Sequence, residues 1–256
     1  GDTTINGFVV PSSGIKDCLD AVERVSKFQT LHGKLTNGWG IGIATGMYIS
    51  GTGHPIDASE QKQSEVELER LPDGTFIIRS CANDIGQGLG ETVRRIAARR
   101  LNVDPKFVAI MLGDTALGPI DLGAYSSRGT FMLGTAVRRA ADGMLTRMNN
   151  GEEHPKVMGS FTTIHVTGGD YPGSTIGASP TYSMTAVVAL VKVVKQTGRV
   201  QTHRLWIAHD CGVAVNPIAV EGQIEGSGSM GDSEARFEEI LYDERTGLQL
   251  GANLLG

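Results

Sequence analysis

Cysteine is scarce in this chain. Only Cys18, Cys81 and Cys211 occur among 256 residues. No two form a CxxC pair, which excludes the usual zinc and iron–sulfur ligand spacings within the chain. Their odd number and wide spacing suit reduced thiols rather than a disulfide framework. Aromatic residues are also few, at 5%. No apolar run approaches the ~20 residues that span a bilayer. The polar start Gly1-Asp2-Thr3-Thr4 lacks a signal-peptide pattern. A cytoplasmic protein without a membrane span is therefore expected. Positive charge is not in excess: 23 Lys and Arg face 28 Asp and Glu, for a net charge of -5. That balance argues against nucleic acid as the partner. Arg94-Arg95 with Arg99-Arg100 reads as the solvated face of a helix. His32, His54, His154, His165 and His203 show no metal-ligand spacing.

Hydrophobic residues make up 40% of the chain, enough for a packed core in one large or two small domains. Glycine is abundant, at 35 residues. Spread among apolar segments, it signals tight turns or backbone pressed against something, not disorder.

Hydrophobic periodicity places the elements. Ile15 to Phe28 has apolar residues at helical spacing, after a Pro11-Ser12-Ser13-Gly14 turn. Trp39 to Ser50 reads as a strand, and Gly51 to Gln63 as a polar loop. Ser64 to Leu71 and Thr75 to Cys81 form a hairpin around Pro72-Asp73-Gly74. Thr92 to Leu101 is a helix, Phe107 to Leu112 a strand, and Gly129 to Met148 a long helix. Val157 to Val166 is a strand. Ser183 to Val194 and Val200 to Ala208 form a second hairpin. Asn216-Pro217 opens a helix running to about Gln223. A last hairpin joins Ile240–Tyr242 to Leu248–Leu250. Strand pairs followed by helices, without regular βαβ alternation, predict an α+β fold with mixed or antiparallel sheets and packed helices. Residues 1–256 are expected to form one binding region, with possible sub-halves 1–149 and 150–256.

Three glycine-rich stretches carry the chemistry: Asp84-Ile85-Gly86-Gln87-Gly88, Gly123-Ala124-Tyr125-Ser126-Ser127-Arg128-Gly129-Thr130, and Glu221-Gly222-Gln223-Ile224-Glu225-Gly226. Each joins bare backbone to neutral donors and acceptors, which suits a large polar ligand. The first two stand at loop-to-helix junctions, where free N–H groups bind anions or carbonyls. Ordinary helix capping explains the same residues equally well. Gly226-Ser227-Gly228-Ser229-Met230-Gly231 matches GxGxxG, but no strand precedes it as a dinucleotide fold requires. His209-Asp210-Cys211 puts neighbours on opposite faces of a strand end, so no direct relay forms there.

The order of Asp84-Ile85-Gly86-Gln87-Gly88, Gly113-Asp114-Thr115 and Gly123 to Thr130 resembles the large subunit of the molybdenum hydroxylases, the xanthine oxidase family. His209-Asp210-Cys211-Gly212, Val215-Asn216-Pro217 and Gly222 to Gly226 continue the likeness in sequence. The spelling from Gly113 to Arg128 is most similar to the molybdenum subunits of 4-hydroxybenzoyl-CoA reductases. The resemblance implies a molybdenum–pterin dinucleotide, in its cytosine form. It also implies two-electron redox at an aromatic or heteroaromatic carbon, either hydroxylation with water or dehydroxylation of a hydroxyaryl-CoA. Gly86, Gln87 and Gly88 would hold the pterin and phosphates. Ser126 would face the molybdenum side, Ser127, Gly129 and Thr130 would contact the cofactor, and Gln223 would grip the pterin from the other side. The metal would be held by dithiolene sulfurs, so no protein metal ligands are expected. Iron–sulfur clusters and FAD would sit on partner subunits.

The sequence departs from the family pattern in what it omits. The Gly-Gly-Phe-Gly loop, the substrate-pocket arginine and aromatics, and the Gly-x-Gly-Glu element with its general-base glutamate are absent. Glu225 stands in the wrong motif to replace that glutamate. No catalytic residue is therefore assigned. The expectation is a partner chain that completes the large subunit, or a shortened product. A non-catalytic or degenerate cofactor-binding module is the competing class.

Overall fold

The computed structural model describes residues 2–4, 7–51, 63–163 and 179–250. A short antiparallel pair, β1 (Asp2–Thr3) and β2 (Val9–Val10), opens the chain. Then come α1 (Ile15–Ser26), α2 (Phe28–Leu31), β3 (Trp39–Ile49), β4 (Ser64–Arg70) and β5 (Phe76–Ser80). Next are α3 (Leu89–Leu101), β6 (Val108–Leu112), a π-turn over Gly129–Leu133, α4 (Gly134–Asn149) and β7 (Lys156–Phe161). The last elements are β8 (Tyr182–Val193), β9 (Val200–Asp210), α5 (Pro217–Phe237), β10 (Leu241–Tyr242) and β11 (Gln249–Leu250).

The main core lies under a four-stranded sheet of order β6-β5-β4-β7. Alternation builds it. Val66 and Leu68 of β4 and Phe76 and Ile78 of β5 point to one buried face. They meet Val93 and Ala97 of α3 and Val137, Ala140 and Met144 of α4. Each fully buried aliphatic contributes about 1.5–3 kcal/mol. The opposite face is charged and solvated. There Arg79 Nη1 bonds Glu67 Oε1 at 2.8 Å and also reaches Glu69, while Lys156 Nζ sits 3.0 Å from Glu67 Oε2. Gly159 lets α4 come down onto β7: a Cβ there would lie 2.1 Å from the Ala136 carbonyl oxygen. The hairpin β4–β5 is antiparallel, whereas β5 and β6 run parallel across α3.

A second sheet, ordered β3-β8-β9, is antiparallel throughout. On one face Cys18 and Val22 of α1 pack on Ala186 and Val188 of β8, with Trp206 and Ala208 alongside. On the other face α5 rests on β9. Gly228 faces β9 there, where a Cβ would lie 2.6 Å from the flexible side-chain tip of Ile207, Cδ1. Both larger sheets take strands from either side of residue 149, so 1–149 and 150–256 are not separate sheets.

The α+β architecture with mixed sheets agrees with the sequence reading. Four elements differ. The helix expected to end near Gln223 continues to Phe237, so the GxGxxG stretch is helical. Glycines at 222, 226, 228 and 231 lower the helical propensity of this stretch, and the turn at Gly228 lies against Ile207 of β9. Asp232 also ties the polar end of the helix to the sheet, accepting from Thr202 and pairing with Arg236. The helix expected from Thr92 begins at Leu89, and the one expected from Gly129 opens as a π-turn. The strand expected over 157–166 is observed as Lys156–Phe161. Its last residues, with His54, His165 and most of the 51–63 loop, lie outside the described residues.

Candidate functional site

The parallel strands β5 and β6 end side by side, at Ser80 and Leu112. In open sheets with crossover helices, ligands bind beyond the carboxyl ends of parallel strands. Two of the loops singled out in the sequence begin there. Gly113 follows β6 in a left-handed conformation (φ 79°), and a Cβ on it would lie 3.6 Å from Asn83 Oδ1 in the loop after β5.

That loop, Asn83 to Gly88, is self-tied. The Asp84 carboxylate accepts the N–H groups of Gly86 at 3.1 Å, Gly88 at 3.2 Å and Gly90 at 3.0 Å. These bonds, the one from Gly90 foremost, hold the Asp84 carboxyl below its ordinary range. Gln87 Oε1 accepts from Ile85 N–H at 2.6 Å, and Gln87 Nε2 donates to the Asn83 carbonyl at 3.1 Å. One amide hydrogen and one lone pair of Gln87 remain for a ligand. Gly86 and Gly88, both at positive φ, spend their N–H groups on Asp84 in this conformation. The loop thus presents a carboxylate and a neutral amide, and phosphate is disfavoured beside it.

The second junction is different. Ser126 and Ser127 are consecutive non-glycine residues with φ of 51° and 49°. Such residues cost of order 1–3 kcal/mol each and persist only where surroundings dictate them. Here the Ser126 carbonyl accepts from Gly51 N–H at 3.0 Å. Arg128 is the largest fully buried side chain among the described residues, at 1% exposure. Its Nη1 donates to Asp121 Oδ1 at 2.9 Å and to the Gly123 carbonyl at 2.6 Å. Its Nη2 donates to Ser64 Oγ at 2.8 Å and to the Gln63 carbonyl. Ser127 and Thr130 are exposed on either side of it, with Ser126 and Gly129 half-buried. No side chain caps the helical run that begins at Gly129. Its N-terminal donors carry no acidic cap, unlike those of α3.

The third stretch is helical. Asn216 precedes Pro217 at the start of α5. A Cβ on Gly88 would lie 3.6 Å from Ala219 Cβ and 3.8 Å from Asn216 Nδ2. Gln223 stands one turn beyond Ala219 on the same helical face, about 6 Å along the axis. It is exposed. On the other flank, a Cβ on Gly129 would lie 3.1 Å from Leu89 Cδ1. The start of α3 therefore touches both other segments, at Gly88 and at Leu89.

His209-Asp210-Cys211 takes a structural part. His209 Nδ1 pairs with Thr185 Oγ1 at 2.6 Å across the β8–β9 ladder, and burial pushes the imidazole below its ordinary value. Asp210 Oδ2 accepts from Gly14 N–H at 3.0 Å and Oδ1 from Gly212 N–H at 2.9 Å, joining α1 to the loop that leads into α5. Cys211 is exposed. Among the described residues no three of His, Cys, Asp and Glu are grouped to hold a metal ion. No described helix is long and apolar enough to cross a membrane.

The family model for the molybdopterin cofactor-binding domain matches residues 18–160 and 152–256. The chain belongs to that family. Its relatives include a xanthine dehydrogenase molybdenum-binding subunit and a carbon monoxide dehydrogenase large chain. The probable hypoxanthine oxidase XdhD of Escherichia coli K12 is 30% identical over 234 residues, covering 80% of this chain and 24% of that protein. The carbon monoxide dehydrogenase large chain of Hydrogenophaga pseudoflava is 26% identical over 222 residues, covering 74% of this chain and 27% of that one. Reconstituted CO dehydrogenase from Oligotropha carboxidovorans superposes with a TM-score of 0.81 at 22% identity, over 97% of this chain and 37% of that one. The chain thus spans about a quarter of the first two relatives' length.

The donor set of this molybdopterin-binding domain fits its cofactor class. A pterin is a flat ring edged with amide, amine and ring nitrogen. The open valences of Gln87, the exposed amide of Gln223 and the exposed hydroxyls of Ser127 and Thr130 are neutral groups of matching kind. Two residues within these stretches had no role assigned from the sequence. Asp84, four positions ahead of Gly88, shapes the first loop, and Arg128 anchors the second. The signal for Asp84 was its place before Gly-x-Gly, where an acidic side chain can turn back on the N–H groups. Arg128 gave no such signal, because its acceptors are up to 65 positions away.

Proposed function

We propose that this chain is the cofactor-holding part of a molybdopterin oxidoreductase acting at an aromatic or heteroaromatic carbon. The observation that carries the reading is the meeting of three segments around Gly88 and Leu89. When bound, the molybdenum centre supplies two-electron transfer coupled to oxygen exchange with water.

Gln87 offers its spare amide hydrogen and lone pair to the pterin edge, and Gln223 approaches the same ring from α5. Ser126 lies toward the metal end. Ser127, Gly129 and Thr130 contact the cofactor, where donors without an acidic cap suit a phosphate. Gly86 and Gly88 contribute shape, allowing close approach while Asp84 holds their N–H groups. The dinucleotide is the cytosine form, as the resemblance implies. A partner chain or a further segment completes the large subunit and supplies the general base. Iron–sulfur and flavin subunits carry the electrons. The hypoxanthine named for the E. coli relative favours a heteroaromatic substrate. The Gly113-to-Arg128 spelling favours a hydroxyaryl-CoA instead.

Metal and pterin analysis of the natively purified complex tests this. Near-stoichiometric molybdenum, pterin and cytosine nucleotide are expected. A native complex free of molybdenum and pterin would overturn the reading and leave a degenerate module.

A further inference from the structure

Arg128 sits between Ser127 and Gly129, yet its side chain is turned fully inward, at 1% exposure. Its fork ends on four groups from two separate stretches of chain. Gln63 and Ser64 lie at the start of β4, and Asp121 and Gly123 lie in the segment leading to the loop. Asp121 is itself locked: Oδ2 accepts from Ser64 Oγ at 2.5 Å and Oδ1 from Gly123 N–H at 2.9 Å. Ser64 and Asp121 also form a β-bridge. The Tyr125 ring lies 5.3 Å from the guanidinium carbon, closing the loop over the cluster. Everything Arg128 bonds is therefore scaffold, while Ser127 just before it and Thr130 two positions after it are exposed. The two left-handed serines adjoin it directly.

We propose that Arg128 is a positioning residue. It pins the Tyr125–Thr130 backbone so that Ser126 and Ser127 keep their left-handed geometry and present their faces to the cofactor without Arg128 touching it. A guanidinium is suited to this because its planar fork serves several acceptors at fixed angles from one buried charge. The inference rests on the cofactor reading given above, but its physical core does not need the cofactor to be bound.

The test uses Arg128→Lys in the full enzyme complex. Lysine keeps the positive charge beside Asp121, so the buried carboxylate is not stranded and the fold is expected to survive. It loses the fork. Hydrogen exchange of residues 123–130 is compared with that of β8 and β9, which the cluster does not touch. Exchange in the loop is expected to rise at least about tenfold, with β8 and β9 unchanged. Molybdenum retained per folded complex is expected to fall several-fold, and the Mo(V) EPR line shape to broaden as the loop samples several positions. Unchanged loop exchange with full molybdenum retention would overturn the proposal. Slower melting behaviour alone does not count for it, since a merely structural residue would leave metal retention and line shape intact. Should Arg128→Lys fail to fold, wild-type complex made in cells unable to synthesise the cofactor decides the matter. Its hydrogen-bonded Gly123 and Arg128 amides are expected to stay protected without cofactor, and fast exchange at both would overturn the proposal. A wild-type complex that never carries molybdenum would instead sink the cofactor reading, with the exchange result still judging Arg128.

Discussion

Replacing Asp84 by alanine removes one carboxylate that serves three backbone N–H groups, those of Gly86, Gly88 and Gly90. Losing a helix-capping side chain costs about 0.5–2 kcal/mol. Three donors are released here rather than one, which argues for the upper part of that range, about 1–2 kcal/mol. The loop is exposed, so water satisfies the freed groups and keeps the cost from rising further. In a chain of this size the melting temperature is expected to drop by about 2–8 °C at neutral pH. The pH dependence follows from the direction of the shift. The folded Asp84 carboxyl titrates below its unfolded value, so its contribution is complete above about pH 3.9. It is lost as pH falls through the lower folded value. The gap between wild type and D84A should therefore close in acid. D84N keeps one acceptor oxygen and no charge, and should fall between the two without that pH dependence. Thermal melts followed by circular dichroism at pH 7 and about pH 3 read all of this. Identical melting of wild type and D84A at pH 7, or a gap undiminished in acid, would refute the capping role.

Gly159→Ala should be among the costliest small substitutions in the chain. Its Cβ would lie 2.1 Å from the Ala136 carbonyl oxygen, a backbone atom of α4 that cannot swing aside. A loss of about 3 kcal/mol or more, at the top of the overpacking range, is expected by chemical denaturation. Gly228→Ala meets only the tip of Ile207, and helix propensity returns up to about 1 kcal/mol, so it should be near neutral. Equal costs for the two would contradict the packing account. His209 is held neutral by burial beside Thr185, so its stabilising effect is present above the unfolded value near 6.5 and is lost as pH falls through the lower folded value. An NMR titration should give a midpoint below 6.5, and His209→Gln should flatten stability across that window. A midpoint at or above 6.5 would be wrong for this environment.

Much of the fold was legible because it rests on local pattern. The alternation in β4 and β5 and the turn at Pro72-Asp73-Gly74 gave the first hairpin, and Lys195 to Arg199 gave the second. The full length of α5 was not legible. Its continuation past Gln223 is accompanied by packing of the Gly228 turn on Ile207 and by Asp232 reaching Thr202, contacts that no local propensity reveals. The candidate site divides in the same way. Gln87, Ser127 and Gln223 were singled out through the family resemblance of their motifs, since their chemistry alone suited a polar ligand and helix capping equally. The groups that shape their loops were not. Asp84 acts through bonds two to six residues ahead, and Arg128 through partners as far back as Gln63. The meeting of the three segments at Gly88 and Leu89 is a tertiary fact that sequence order alone could only suggest.

The central claim is that the three segments hold one cofactor. Hydrogen exchange on the full complex, compared with and without bound cofactor, tests it most directly. Residues 84–90, 126–130 and 216–223 should all gain protection together when the cofactor is present, while α1 stays unchanged. Protection confined to one of the three segments, or absent from all, would contradict it.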